Sequence, residues 1–222
     1  MQPDPGAHRR IRALTGPDLG SPLTLHLVRH ASTAATGRVP SGGDDPGPPL
    51  NDEGRQQVSA LSAVLGRRIG PVDLVLSSPM LRARQTASGL AGALGREPRT
   101  APDWAELRLG EWNGLAYGEI ARRWPAGYRL WQESPSARPP GGESVDDLRR
   151  RVDAGTRRLV AEQAGRCVVV VTHTGAVRAA VASALDAGPA AFWRLRVDPA
   201  SLTTLRCWAD GGVEVAAVNQ QP

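Results

Sequence analysis

Two histidines stand at the ends of apolar, strand-like runs, and each has a neighbour that can bind an anion. His30 follows "LTLHLVR" (23–29), which ends in Arg29, and His173 follows "CVVVVT" (167–172) and opens a helical pattern. The adjacent guanidinium disfavours imidazolium, which keeps His30 neutral and nucleophilic. Guanidinium groups and helix N-termini also bind phosphate oxygens. These residue types favour attack of an imidazole on phosphorus.

A third strand end strengthens this interpretation. Taken singly, a histidine at a strand end such as His30 is more often structural than catalytic, and His173 fits a structural cap of the strand–helix turn about as well as a functional role. The run "VDLVL" (72–76) is followed by "SSPMLRARQTA" (77–87), which contains Arg82. In layered α/β proteins, ligands bind outside the carboxyl ends of strands. Three polar strand ends are therefore expected to face one crevice.

The elements that must position these groups alternate along the chain. The apolar run at 167–172 indicates a central strand that is covered on both faces. The alternation of strands with helices predicts a three-layer α/β/α sandwich with a mostly parallel sheet. The strand-like runs are 23–29, 72–76, 167–172, 201–208 and 213–218, with a short one near 98–101. The helical patterns are 51–67, 79–94, 115–124, 143–164 and 174–186.

Two Gly/Pro-rich stretches, 36–50 and 125–142, are predicted as long loops. Loops of this length in a compact domain are often functional, so these two are expected to wall or cover the crevice. Tyr128 and Trp131 in the second stretch are the aromatic residues best placed to touch a ligand.

The composition limits the classes of protein to which the chain can belong. With 222 residues, 41% hydrophobic and 22% charged, the chain fits one globular domain over 22–222 after a flexible Pro/Gly/Arg-rich arm over 1–21. No apolar run reaches membrane-spanning length and no signal-peptide pattern opens the chain, so a cytoplasmic location without membrane contact is expected. The net charge of +5 favours anionic partners. The arginines are scattered and have no aromatic residues interleaved with them, which argues against binding of nucleic acid. A small phosphorylated substrate is therefore the expected anionic ligand.

Six sequence blocks, in order, resemble the motifs of the histidine phosphatase superfamily, the phosphoglycerate-mutase-like proteins of the branch with an R-H-G/A-x-T motif. The resemblance covers about residues 23–218 and implies the phosphoglycerate-mutase-like fold. The blocks are "LVRHAST" (27–33), "PLNDEGRQQ" (49–57), "SSPMLRARQTA" (77–87), "ELRLGEWNG" (106–114), "PPGGESVDDLRRRV" (139–152) and "VVVVTHTG" (168–175).

The resemblance implies a role for each matching residue. His30 is the nucleophile that takes the phosphoryl group, and Arg29, Arg82 and His173 hold the phosphate oxygens. Glu106 protonates the leaving alkoxide and then takes a proton from the water that hydrolyses the phosphohistidine. Phosphoryl transfer needs positive charge around the equatorial oxygens, which these side chains supply, so no metal and no cofactor is expected.

Three further residues are assigned to substrate binding. Thr174 follows the second histidine, and Arg38 lies in the first loop, where members of the family often reach the substrate. Thr36 stands where many relatives carry an asparagine that contacts phosphate, and its hydroxyl can donate one hydrogen bond. Ala31 replaces the usual glycine of the first motif; alanine adds only a methyl group and fits if φ is negative.

The leading interpretation is a metal-independent phosphomonoesterase that acts on a small phosphorylated metabolite. Two alternatives share the fold: a phosphoglycerate-type mutase, and a repurposed member that binds a phosphorylated ligand without hydrolysing it. The identity of the ester and the formation of a homodimer are left open.

Overall fold

The sheet follows the predicted order of elements. The computed structural model describes residues 20–44 and 46–222, so the predicted flexible arm lies outside the described residues except for its last two positions. The strands in this part of the chain are β1 (Leu23–Arg29), β2 (Leu74–Ser77), β3 (Arg99–Thr100), β4 (Cys167–Thr172), β5 (Leu202–Cys207) and β6 (Val213–Gln220). They form one sheet in the order β3-β2-β4-β1-β5-β6. The pairs from β3 to β1 are parallel, whereas β5 pairs antiparallel with β1 and with β6.

Helices connect the strands and cover both faces of the sheet. They are α1 (Asp52–Ile69), α2 (Leu81–Leu94), α3 (Tyr117–Arg123), α4 (Pro125–Glu133), α5 (Val145–Glu162), α6 (Thr174–Ala184) and α7 (Ala190–Arg194). Asn51 caps α1 by accepting a hydrogen bond from the amide of Gly54, and Ser144 begins α5 with a capping box. None of the helices in the described ranges has the length and apolar character of a membrane-spanning segment.

The central strand β4 divides the core into two layers. Val168 and Val170 belong to the cluster that contains side chains of α5 and α6, while Val169 and Val171 belong to the cluster under α1 and α2. Successive side chains of a strand point to opposite faces, so an unbroken valine run fits a strand buried on both sides. The predicted three-layer α/β/α sandwich with a mostly parallel sheet is confirmed.

The prediction of one long loop over 125–142 is wrong. Residues Pro125–Glu133 form α4, and only the remainder of the stretch is irregular. Proline suits the first position of a helix, where its missing N–H needs no partner, so Pro125 begins the helix rather than preventing it. Trp131 is 4% exposed and anchors α4 to the core. The five-residue helix α7 has no counterpart among the predicted elements.

Buried His26 on β1 gives a testable dependence of stability on pH. Burial lowers the pKa of His26 from 6.5 to about 4, and its Nδ1 lies 2.9 Å from Thr204 Oγ1. Because the folded pKa lies below the unfolded one, this contribution to stability is full above pH 6.5 and is lost as pH falls toward 4. The lost free energy of unfolding is about 3 kcal/mol.

We therefore expect His26→Leu to reduce the acid sensitivity of the fold. Urea unfolding at pH 7 and at pH 4 measures this difference in both proteins. Between pH 7 and pH 4, the free energy of unfolding should fall by about 3 kcal/mol more in the wild type than in the variant. Equal losses in the two proteins would show that His26 does not titrate in this way.

Candidate active site

His30 lies directly after β1, and its hydrogen bonds identify its reactive nitrogen. Nδ1 lies 2.7 Å from the carbonyl oxygen of Ala31. A carbonyl only accepts hydrogen bonds, so Nδ1 carries the proton and Nε2 is unprotonated and carries a lone pair. Burial, followed by the charges of Arg82 and Arg29, holds the pKa of His30 well below its usual 6.5. The side chain is therefore a neutral imidazole with Nε2 as the nucleophilic atom.

Arg82, on the first turn of α2, holds the imidazole from the other side. Its Nε donates to His30 Nε2 at 3.1 Å, while Nη1 and Nη2 donate to the side chain and the carbonyl of Ser41 at 3.2 and 2.9 Å. The arginine is 2% exposed. A Cβ on Gly47, which has a φ of +69°, would lie 2.3 Å from Nη1. The first loop therefore closes around a guanidinium aimed at His30.

His173 and Arg29 complete a basic cluster at the edge of the sheet. The rings of His173 and His30 lie 5.0 Å apart between centroids, and His173 Nε2 lies 2.7 Å from Ser78 Oγ. Arg29 Nη1 donates to the carbonyl of Val197 at 2.6 Å. Within the described residues, His173 Nδ1 and Arg29 Nε are buried and have no hydrogen-bond partner. Buried polar atoms are normally paired, so unpaired nitrogens here are consistent with a site that receives an anion.

Glu106 reaches the same site from the segment between the two short 3₁₀ turns, 102–104 and 110–112. Its Oε1 accepts from the amide of Leu107 at 2.8 Å and from that of Gly175 at 3.1 Å, and Oε2 lies 3.2 Å from the Gly175 amide. Gly175 belongs to the first turn of α6. The carboxyl group is thus held in a fixed position at the N-terminus of this helix.

These groups border a pocket of about 300 Å³. Its lining includes His30, Arg29, Arg82 and Glu106, and it also includes all three of the further binding candidates, Thr36, Arg38 and Thr174. His173 is fully buried and is not among the residues that line the pocket. A pocket with a nucleophile, clustered cations and a carboxyl group has the parts that phosphoryl transfer requires.

Comparison with known proteins assigns the family. The family model described as "Histidine phosphatase superfamily (branch 1)" matches residues 25–221. The chain belongs to this superfamily. A member from Hydrogenobacter thermophilus, phosphoserine phosphatase 1, is 30% identical over 186 residues, which cover 82% of this chain and 86% of that protein. The solved structure of mycobacterial glucosyl-3-phosphoglycerate phosphatase covers 90% of this chain at 30% identity, with a TM-score of 0.80.

Other members are longer proteins. A bifunctional protein of Mycobacterium tuberculosis is 41% identical over 202 residues, which cover 90% of this chain but 55% of that protein. The chain therefore spans about half the length of the curated relatives that it matches at this identity.

In this member of the superfamily, some polar groups of the first loop form hydrogen bonds with other residues of the same loop. Thr36 Oγ1 accepts a hydrogen bond from the amide of Thr33 at 2.9 Å and lies 3.2 Å from Thr33 Oγ1. Arg38 is exposed at the pocket rim. Thr174 is the first residue of α6, next to Gly175. The structure brings all three to the pocket that contains His30, and their contact with a substrate stays a prediction.

Sequence reasoning missed several residues that line the pocket, and the large or charged side chains among them are Tyr117, Arg178, Phe192 and Trp193. Arg178 follows Thr174 by one helical turn, so the spacing of four residues on a predicted helix was a usable signal. Trp131 lines the pocket as expected. Tyr128 does not line the pocket and stacks on Trp131, with 6.1 Å between the ring centroids.

Proposed function

We propose that this chain hydrolyses phosphate monoesters of small metabolites through a phosphohistidine on His30. The observation that carries the proposal is the pair of hydrogen bonds that leaves His30 Nε2 unprotonated and held by Arg82 in a cationic pocket. Relatives named as phosphoserine, glucosyl-3-phosphoglycerate and α-ribazole phosphatases support a small phosphorylated substrate.

The first step transfers the phosphoryl group to the enzyme. As substrate binds, the hydrogen bond from Arg82 Nε to His30 Nε2 breaks and the guanidinium donates to the phosphate oxygens instead. The lone pair of Nε2 then attacks phosphorus, a P–N bond forms, and the bond from phosphorus to the ester oxygen breaks. Glu106 enters this step protonated and gives its proton to the departing alkoxide, because an alkoxide is otherwise a poor leaving group. Arg29, Arg82 and His173 stabilise the negative charge on the equatorial oxygens.

The second step returns the enzyme to its starting state. Glu106, now a carboxylate, takes a proton from water as the water oxygen attacks phosphorus. The P–N bond breaks, its electron pair returns to Nε2, and inorganic phosphate leaves. One carboxyl group thus serves as acid and then as base, which fits its fixed position on the Gly175 amide.

We further propose that the reaction needs no added metal ion, because guanidinium groups supply the positive charge. Arg29, Arg82, Arg178 and Arg38 all border the pocket. A panel of metabolite phosphate esters, with release of inorganic phosphate as the readout, tests both parts. Turnover of some esters that persists in excess EDTA is expected. Failure to hydrolyse any ester of the panel would contradict the phosphatase proposal, and loss of turnover in EDTA would contradict metal independence alone.

The contact between Glu106 and Gly175 supplies a sharper prediction. A Cβ on Gly175 would lie 2.3 Å from Glu106 Oε1, so Gly175→Ala must displace the carboxyl group. A displacement of about 1 Å in a catalytic group costs roughly 100-fold in rate, and we expect such a loss in kcat/KM for alkyl phosphate esters.

Gly92→Ala is the matched control, because a Cβ at this position of α2 meets no atom within 4 Å. Steady-state phosphate release, with thermal unfolding as a check on folding, measures both variants. Full activity of folded Gly175→Ala would show that the position of Glu106 does not matter to the reaction.

A further inference from the structure

Glu106 belongs to a segment that lies outside the α-helices and strands, so other parts of the chain must hold its backbone. Residues 105–109 are irregular and lie between the two short 3₁₀ turns. Four consecutive carbonyl groups, those of residues 103–106, accept hydrogen bonds from side chains. The donors are Thr172, the last residue of β4, and Arg151 on α5. Side chains of a strand and a helix thus satisfy carbonyls that regular structure would otherwise pair.

Arg151 makes three of these four contacts. Its Nη1 donates to the carbonyl of Asp103 at 2.8 Å and to that of Ala105 at 3.0 Å, and its Nη2 donates to the carbonyl of Glu106 at 3.4 Å. Nη2 also donates to Glu143 Oε1 at 2.5 Å. A guanidinium group is planar, always charged and carries five N–H donors, so it can hold several acceptors in one fixed arrangement.

Glu143 extends the same set of contacts to the other side of Glu106. Its carboxylate is buried, and its Oε1 accepts from the amide of Arg108 at 3.4 Å as well as from Arg151. The amide of Glu143 donates to the carbonyl of Arg108 at 2.9 Å. The ion pair of Arg151 with Glu143 therefore connects the backbone on both sides of Glu106 to α5.

Helix α5 lies close enough to the segment to act as its support. A Cβ on Gly155, one turn beyond Arg151, would lie 3.0 Å from Asp103 Cβ. The helix itself begins with the capping box of Ser144, which fixes its first turn. Arg151 is not among the residues that line the pocket, and its side chain is 23% exposed. It therefore contacts the backbone that carries Glu106 and not the space in which a substrate would bind.

We propose that Arg151 is a positioning residue for Glu106, because its guanidinium fixes the backbone that sets the place of the catalytic carboxyl group. This role rests on the proposed function, in which Glu106 acts first as the acid and then as the base. Loss of Arg151 should consequently slow only the steps in which Glu106 transfers a proton. The attack of His30 on an ester with a good leaving group is not such a step.

The first test is the variant Arg151→Met with two esters. For glycerol 3-phosphate, kcat/KM should fall by about 10- to 100-fold, since a displacement of about 1 Å in a catalytic group has an effect of this size. For 4-nitrophenyl phosphate, the burst of nitrophenolate should form at the wild-type rate, and the turnover after it should be slower than in the wild type. A purely structural role for Arg151 would slow the burst as well.

The second test repeats the substitution in Glu106→Gln. If Arg151 acts through Glu106, adding Arg151→Met to this background should change kcat/KM for glycerol 3-phosphate by less than about twofold, because the proton transfer is already lost. Arg150→Met is the matched control. Arg150 belongs to the same helix, is exposed and pairs with Asp147. This control should keep wild-type kinetics with both esters.

Folding is checked separately, because Arg151→Met leaves the buried Glu143 without its arginine partner. The variant Arg151→Met/Glu143→Gln removes both charges and should show the same kinetic pattern, with thermal unfolding as the check. A folded variant with wild-type kcat/KM for glycerol 3-phosphate, equal losses with the two esters, or a full additional loss in Glu106→Gln would overturn the positioning role alone. Absence of phosphate release by the wild type from every ester would overturn the proposed function, and the positioning role with it.

Discussion

Replacing His30 with alanine is expected to lower kcat/KM for phosphate monoesters by roughly 10⁴-fold or more, because the variant lacks the atom that accepts the phosphoryl group. In the structure His30 Nε2 is unprotonated and accepts a hydrogen bond from Arg82 Nε at 3.1 Å. Water has no equivalent path to phosphorus in the proposed mechanism, so the remaining cations bind the ester without turning it over.

Release of inorganic phosphate measures the loss, and His26→Ala is the matched control. His26 is also a buried histidine of the same segment, but it does not border the pocket. The control should keep the activity of the wild type under conditions in which it is folded. A His30→Ala protein that is folded by circular dichroism and retains full turnover would refute covalent catalysis at this residue.

Replacing Glu106 with glutamine is expected to have different effects on substrates with poor and good leaving groups. For an alkyl phosphate, kcat/KM should fall by about 10²- to 10⁴-fold, the usual contribution of a positioned proton donor. For 4-nitrophenyl phosphate the first step needs no proton, because nitrophenolate leaves unaided. Only the hydrolysis of the phosphohistidine then slows, so nitrophenolate should appear in a stoichiometric burst followed by slow turnover.

Stopped-flow absorbance resolves the burst, and Glu111→Gln is the control. Glu111 belongs to the same segment of the chain, on the second 3₁₀ turn, and is exposed. It should show wild-type kinetics with both substrates. Equal losses of activity for the alkyl and aryl esters of Glu106→Gln, without a burst, would contradict a dual role as acid and base.

Strands were the most predictable part of the fold. Those predicted at 23–29 and 167–172 have the same bounds as β1 and β4. The sequence of β4 is a continuous apolar run, which is typical of a strand buried on both faces. The sequence of β1 instead alternates leucine with Thr24 and His26, the period of two that is typical of a strand. Helix α4 was hidden because Pro125 and Gly127 are typical of loops, and its aromatic side chains find their partners only in the folded protein.

The residues of the candidate site also differ in how well the sequence predicts their positions. His30, His173 and Arg82 follow directly from strand ends, since parallel strands bring their carboxyl ends to one edge. The position of Glu106 depends on a contact with Gly175, 69 residues later in the chain, and local pattern does not show it. The ring contact between Trp131 and Trp193, with centroids 4.6 Å apart, likewise joins residues that are distant in the sequence. Contacts of this kind come from tertiary packing, which a single sequence does not display.

The most direct test of the account is to trap the phosphorylated enzyme and locate the phosphoryl group. Wild type and Glu106→Gln are mixed with 4-nitrophenyl phosphate, quenched in alkaline denaturant to preserve phosphohistidine, digested and mapped by mass spectrometry. We predict a phosphoryl group on His30, close to stoichiometric in Glu106→Gln and at a lower level in the wild type. A phosphoryl group on another residue, or none on any residue while phosphate is still being released, would contradict the proposed mechanism.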